Sequence, residues 1–163
     1  MTRPATADIV VRRVDGSPIE VLVCTGTGCA LNGSVEVLEA LRAAVAEAGL
    51  TEAVEVRQTG CHGLCAQGPV VVADGVFYPK VTLGHVPRIV SDHLVGGNLV
   101  RDYFYRDPGS GKAVKRYDRI TFNRKQRRIV LAGCGEVDPE RIGDYVERGG
   151  YGALRRVLAD WTP

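Results

Sequence analysis

Ile19-Glu20-Val21-Leu22-Val23-Cys24-Thr25-Gly26-Thr27-Gly28-Cys29 is the stretch on which the reading of this chain turns. Its first five residues are short, apolar and rich in β-branched side chains, which predicts a buried strand. The strand runs straight into a glycine-containing loop with a cysteine at each end. A helix is expected next. Asn32, Gly33 and Ser34 are all suitable N-cap residues. Val35, Leu38, Leu41, Val45 and Ala48 recur at helical spacing, and Gly49 is placed to cap the C-terminus.

The pattern then returns. Val54-Glu55-Val56-Arg57 reads as a second strand and leads into Thr59-Gly60-Cys61-His62-Gly63-Leu64-Cys65. Val70-Val71-Val72 predicts a third strand, Asp74-Gly75 a hairpin turn and Val76-Phe77-Tyr78 a fourth strand. A second helix is expected over 86–95. Pro87 suits its first turn, Val86, Ile89, Val90 and Leu94 form its apolar face, and Gly96-Gly97 end it. Residues 99–105 are expected to extend the sheet or lead out of it. The order β-α-β-β-β-α predicts a compact α/β domain with both cysteine pairs in loops at strand ends.

The chain has 163 residues, room for one domain and a small appendage. Its N-terminus lacks the apolar run of a signal peptide, and no stretch is apolar enough to span a bilayer. A cytoplasmic location is the default expectation. In a reducing compartment, clustered cysteines point to metal or redox chemistry rather than to disulfides. Charge is uneven. Residues 1–107 carry 9 Lys+Arg against 12 Asp+Glu, whereas residues 108–163 carry 12 against 7. A net of −3 is thus joined to a net of +5, which predicts two segments with different roles.

The spacing C-x4-C, thirty-one residues, C-x3-C supplies four thiols, Cys24, Cys29, Cys61 and Cys65. Four thiolates, two for each iron, are what a [2Fe-2S] cluster requires, and soft thiolate suits both ferric and ferrous iron. Gly26, Gly28, Gly60 and Gly63 are expected to let the backbone curl around the cluster with N–H groups aimed at sulfur. The positive end of the helix near Ser34 is expected to face the same region. Structural zinc is the competing reading, although zinc knuckles favour C-x2-C. A thiol–disulfide pair would more naturally be C-x-x-C. Cys134 stands alone and reads as a small buried residue. His62 is expected beside the ligands without being one, or exposed. His85 and His93 are expected at the surface.

Asp107-Pro108-Gly109-Ser110-Gly111 has linker composition. From Lys112 to Arg128 the chain is strongly basic, with Asp118 its single acid. Tyr117 and Phe122 are interleaved with these cations, so base stacking and phosphate contact are one reading. A solvated linker, or a face that docks on an acidic subunit, is favoured over it. Arg128–Ala132 is a candidate strand. Asp138-Pro139-Glu140 predicts a helix start for a helix to about Glu147, and Tyr151–Asp160 predicts another. Thr162-Pro163 looks like a helix start without its helix, so a longer parent chain is expected.

The cysteine loops, together with Gly68-Pro69-Val70-Val71-Val72, resemble the thioredoxin-like [2Fe-2S] ferredoxins over about residues 18–105. Tyr78-Pro79-Lys80-Val81 and His93-Leu94-Val95-Gly96-Gly97 are similar to the extended form of that family. These domains occur as the small iron–sulfur subunit of complex I. They also occur as an N-terminal extension of the flavin-bearing, NADH-oxidising subunit of NAD-linked hydrogenases and formate dehydrogenases. Gln126-Arg127-Arg128-Ile129-Val130-Leu131-Ala132-Gly133-Cys134-Gly135, Asp138-Pro139-Glu140 and Gly149-Gly150-Tyr151-Gly152-Ala153-Leu154 are similar to the opening of that flavoprotein subunit.

The resemblance implies a lead-in over 1–17, a thioredoxin-like α/β ferredoxin domain over 18–106, a basic linker over 107–128 and, over 129–163, the small helical start of an incomplete flavoprotein domain. It implies one-electron transfer, with the other subunits of a hydrogenase, formate dehydrogenase or NADH dehydrogenase complex as partners. FMN, NAD(H) and a [4Fe-4S] cluster are expected only in the longer parent. The dinucleotide fingerprint is absent from these residues, so no NADH oxidation is expected of this chain alone. Neither nucleic-acid binding nor direct membrane insertion is expected.

Overall fold

In the computed structural model, strand β1 (Ile19–Cys24) lies at the centre of the fold. The model describes residues 16–162, so all but two residues of the expected lead-in lie outside it, as does Pro163. β1 pairs in parallel with β2 (Val54–Thr59), from Ile19 opposite Val54 to Cys24 opposite Thr59. A parallel pair needs a crossover between its strands. Here the crossover holds a short helical turn, α1 (Thr27–Ala30), and then α2 (Ser34–Glu47). On its other side β1 pairs antiparallel with β3 (Val71–Ala73), which turns through Asp74-Gly75 into β4 (Val76–Tyr78). Both turn residues have positive φ, as a tight two-residue hairpin requires. The sheet order is β2-β1-β3-β4.

Alternation along β1 puts Ile19, Val21 and Val23 on one face of the sheet. That face packs on Val37, Leu38, Leu41 and Val45 of α2, and on Val86, Ile89, Val90 and Leu94 of the second long helix. This helix starts as α3 (Val86–Arg88), with Pro87 in its first turn, and continues with π-helical geometry over Ile89–Val95. Two expectations are corrected here. Val35 points outward, at 47% exposure, and Val37 takes the buried place. His93 is buried, its Nδ1 lying 3.1 Å from the Tyr78 hydroxyl. Burial lowers its pKa from the ordinary value, with Lys115 opposing the imidazolium and Asp74 favouring it more weakly than burial disfavours it.

The opposite face of the sheet carries the larger surprise. Val70 and Phe77 are fully buried there, under Ile120, Tyr105, Val114 and Tyr117. These covering residues come from the stretch whose composition reads as a linker. They are held by a small hairpin, β5 (Tyr105–Arg106) with β6 (Ala113–Val114), and by a hydrogen bond from the Phe77 N–H to the Lys115 carbonyl at 2.8 Å. Residues 99–105 do not extend the main sheet: Arg101–Tyr103 is a single 3-10 turn.

The chain then crosses to the other sheet edge. The Gly60 N–H donates to the Val137 carbonyl at 3.2 Å, and the Gln58 side-chain amide to Asp138 Oδ1 at 3.2 Å. Arg57 reaches Asp144 at 2.7 Å and also pairs with Glu20. Short helices α4 (Thr121–Arg124), α5 (Ile142–Glu147) and α6 (Gly152–Asp160) complete the segment. The strand expected over 128–132 is an exposed turn, with Val130 94% exposed. Its apolar run joins neither of the two sheets among the described residues. No helix among the described residues is long and apolar enough to cross a membrane.

Candidate functional site

The parallel register of β1 and β2 decides where the cysteines go. Cys24 is the last residue of β1, and Cys61 follows two residues after the end of β2, so both cysteine loops leave the same end of the sheet. The loops then touch. A Cβ on Gly26 would fall 2.9 Å from Cys61 Cβ, and one on Gly28 would fall 3.3 Å from Cys65 Cβ. Glycine is needed at these positions for this close approach rather than for a left-handed backbone. Gly68 closes the site from below, since a Cβ there would lie 2.7 Å from Cys29 Sγ.

The four sequence-predicted thiols are thus brought into one neighbourhood, as two pairs. Cys24 and Cys29 are almost wholly buried, at 1% and 2% exposure, whereas Cys61 is half-buried and Cys65 exposed. Cys61 Sγ and Cys65 Sγ are 3.7 Å apart. Two thiolates on one tetrahedral metal, each about 2.3 Å from it, stand about 3.8 Å apart. Among the described residues no three His, Cys, Asp or Glu side chains converge on a single point, as a one-metal site requires. Two pairs of soft donors fit a two-iron cluster better than a single zinc ion.

The electrostatics call for positive charge at this site. Burial, and then the adjacent Cys24 thiol, push the Cys29 thiol up to about 12, while a backbone hydrogen bond at Val70 acts the other way. The Cys65 thiol is raised chiefly by its hydrogen bond and charge coupling to Cys61. Thiols crowded in this way resist ionising together unless cations supply compensating charge, which ferric iron does. One backbone donor is already in place: the Gly63 N–H, at a left-handed φ of 78°, meets Cys61 Sγ at 3.3 Å.

Cys29 sits within the turn α1, and the left-handed Gly33 separates that turn from α2.

His62 is buried, and its ring contacts Thr59, Tyr117 and Gly135. Its Nε2 lies 3.1 Å from Thr59 Oγ1, and its ring meets Tyr117 edge-on at 5.5 Å. Gly135 stacks so tightly on the ring that a Cβ there would come 2.7 Å from Nδ1. Burial, and then the charge of Arg128, depress its pKa to about 4, so the ring is neutral near neutral pH. Cys134 is half-buried in an open cleft of about 440 Å³ that it shares with Leu22, Val72 and Glu136.

Sequence reasoning missed two residues of this site. The Tyr117 hydroxyl donates to the His62 carbonyl, and Arg128 Nη2 donates to the same carbonyl at 3.0 Å while its guanidinium lies 5.1 Å over the Tyr117 ring. Both lie in the stretch whose composition reads as a solvated basic linker or docking face. Tyr117 is committed to this contact and to Phe77, so it is not available to stack on a base.

A family model for thioredoxin-like [2Fe-2S] ferredoxin matches residues 11–93, half of the chain, and spans all four of these thiols. The chain belongs to this family. Its cofactor is a [2Fe-2S] cluster and its activity is electron transfer. The ferredoxin is 38% identical over 93 residues to a 2Fe-2S ferredoxin of Clostridium pasteurianum, covering 50% of this chain and 89% of that one. It is 40% identical over 75 residues to a 2Fe-2S ferredoxin of Aquifex aeolicus, covering 44% of this chain and 68% of the relative. A solved thioredoxin-like [2Fe-2S] ferredoxin from Aquifex aeolicus superimposes with a TM-score of 0.50 at 34% identity, over 53% of this chain and 89% of that chain.

Proposed function

We propose that Cys24, Cys29, Cys61 and Cys65 ligate the cluster, and that the chain relays single electrons as the N-terminal part of a flavin-bearing, NAD(H)-linked subunit. The observation that carries the ligand assignment is the contact of the two loops, Gly26 against Cys61 and Gly28 against Cys65. When bound, the cluster takes up and returns one electron. The residues around it set the terms of that exchange. Cys24 and Cys29 hold the inner side away from water, Gly63 donates to a thiolate, and Cys65 leaves one side open to an approaching partner. The parent would be a multi-subunit hydrogenase, formate dehydrogenase or NADH dehydrogenase, the reading that the flavoprotein-like motifs over 126–154 support.

The first test is an anaerobic visible spectrum before and after dithionite, with iron, sulfide and zinc assayed on the same sample. Two irons and two sulfides per chain, bleached by dithionite, are expected. A colourless protein with stoichiometric zinc would make this a structural or docking module instead. The place in a complex is tested by purifying the protein from its own source. NADH should bleach the cluster in the assembled complex and leave the isolated chain unchanged. A cluster that NADH cannot reach in any native assembly would overturn that part of the reading.

A further inference from the structure

We infer that Arg128 is a positioning residue for electron transfer: stacked on Tyr117 and bonded to the His62 carbonyl, it clamps the second cysteine loop and supplies a fixed positive charge that favours the reduced cluster. The inference rests on the ligand reading above, and it concerns a residue outside the stretch that the family model matches.

The geometry is specific. His62 lies between Cys61 and Gly63, and Gly63 donates to Cys61 Sγ at 3.3 Å. Arg128 Nη2 is 3.0 Å from the His62 carbonyl oxygen and 3.5 Å from where a Cβ on Gly63 would stand. The guanidinium therefore bonds the carbonyl of the His62–Gly63 peptide, the same peptide whose N–H meets Cys61 Sγ. It is held there from three directions, by the carbonyl, by the Tyr117 hydroxyl and by the Tyr117 ring. A planar, always-charged group fits this arrangement as lysine would not.

The charge is also uncompensated where it matters. The carboxylates that share this cleft are engaged elsewhere, Asp118 with Arg116 at 3.0 Å and Glu136 with Arg148 at 2.5 Å. The partners of Arg128 are neutral oxygens. Reduction adds one negative charge to the cluster, so a cation held next to the Cys61 loop stabilises the reduced form more than the oxidised one. Two residues of the appended segment, Tyr117 and Arg128, thereby become part of the redox machinery of the ferredoxin domain.

The test uses the full chain loaded with its cluster, titrated electrochemically with the visible spectrum as readout. Arg128→Met should lower the ratio of reduced to oxidised cluster about tenfold at a fixed poise, a shift of about 59 mV for a one-electron couple. Arg128→Lys should keep the ratio within about threefold of wild type, because the charge remains while the fork is lost. Arg127→Met, the same charge change at an exposed neighbour, should shift it less than about twofold. An unchanged potential in Arg128→Met with an intact spectrum would overturn the proposal, and so would an equal shift in Arg127→Met. Should Arg128→Met fail to load, Arg128→Lys decides alone, a tenfold fall in its ratio counting against the charge. A wild-type protein without two irons would instead overturn the ligand reading, before any variant is compared.

Discussion

Ile120 gives the sharpest test of how this chain is organised. It belongs to a stretch that reads as a basic linker, yet it is 1% exposed and packs with Val70, Phe77, Cys24 and Cys29. Ile120→Ala removes three buried carbons, about 2.4 kcal/mol at about 0.8 kcal/mol each. The cavity left behind adds to that, so the total cost is about 3–4 kcal/mol. With a urea slope of about 1–3 kcal/mol per molar, the unfolding midpoint should fall by at least about 1 M. The assay is a urea titration of the cluster-loaded protein, followed by circular dichroism and by cluster absorbance. Midpoints are compared directly, because cofactor loss accompanies unfolding. Leu158→Ala, at a position 75% exposed, serves as the control and should leave the midpoint unchanged. If Ile120→Ala behaves like Leu158→Ala, residue 120 is not packed on the sheet, and the second face of the domain is covered by something else.

Three further outcomes are expected. Gly68→Ala places a methyl group 2.7 Å from Cys29 Sγ, so that sulfur or its loop must shift; iron content per chain should drop or the visible spectrum change, and a wild-type spectrum at full loading would refute the close approach. Cys134→Ser should leave the spectrum and iron content as they are, since this thiol lies in the cleft rather than among the two pairs; a bleached variant would show that the proposed ligand set is wrong. His93 is held neutral by burial, with a folded pKa below its ordinary value of 6.5, so the unfolded chain takes up the proton first. Its contribution to stability is present above that ordinary value and is lost as pH falls below it. The gap between wild type and His93→Phe measured at about pH 7.5 should therefore shrink or reverse at about pH 5.5, and a constant gap would remove His93 from the pH response.

Much of this ferredoxin is legible along the sequence. Short β-branched runs, a two-residue turn signal and glycine stops are local features, and they place β1, β2, the hairpin after Val71–Ala73 and both long helices within a few residues. The four thiols are legible too, because paired cysteines beside glycines have few other uses. Whether Val35 or Val37 faces inward depends on how the left-handed Gly33 sets the start of α2. That His93 is buried depends on the widened helix and on a hydroxyl fifteen residues away.

Spacing by itself therefore singled out the four candidate thiols, since donor chemistry follows from residue type and from the strands that end in each loop. Tertiary structure alone decided that the loops meet, through the parallel register of β1 and β2, and that the appended segment is part of the domain. Its cations hide an apolar stripe, Val114, Tyr117 and Ile120, that covers Phe77 and brings Arg128 against the His62 carbonyl. A basic run reads as solvated because lysine and arginine dominate its composition. What it packs against is set by a sheet face formed forty residues earlier, and no local pattern can encode that contact.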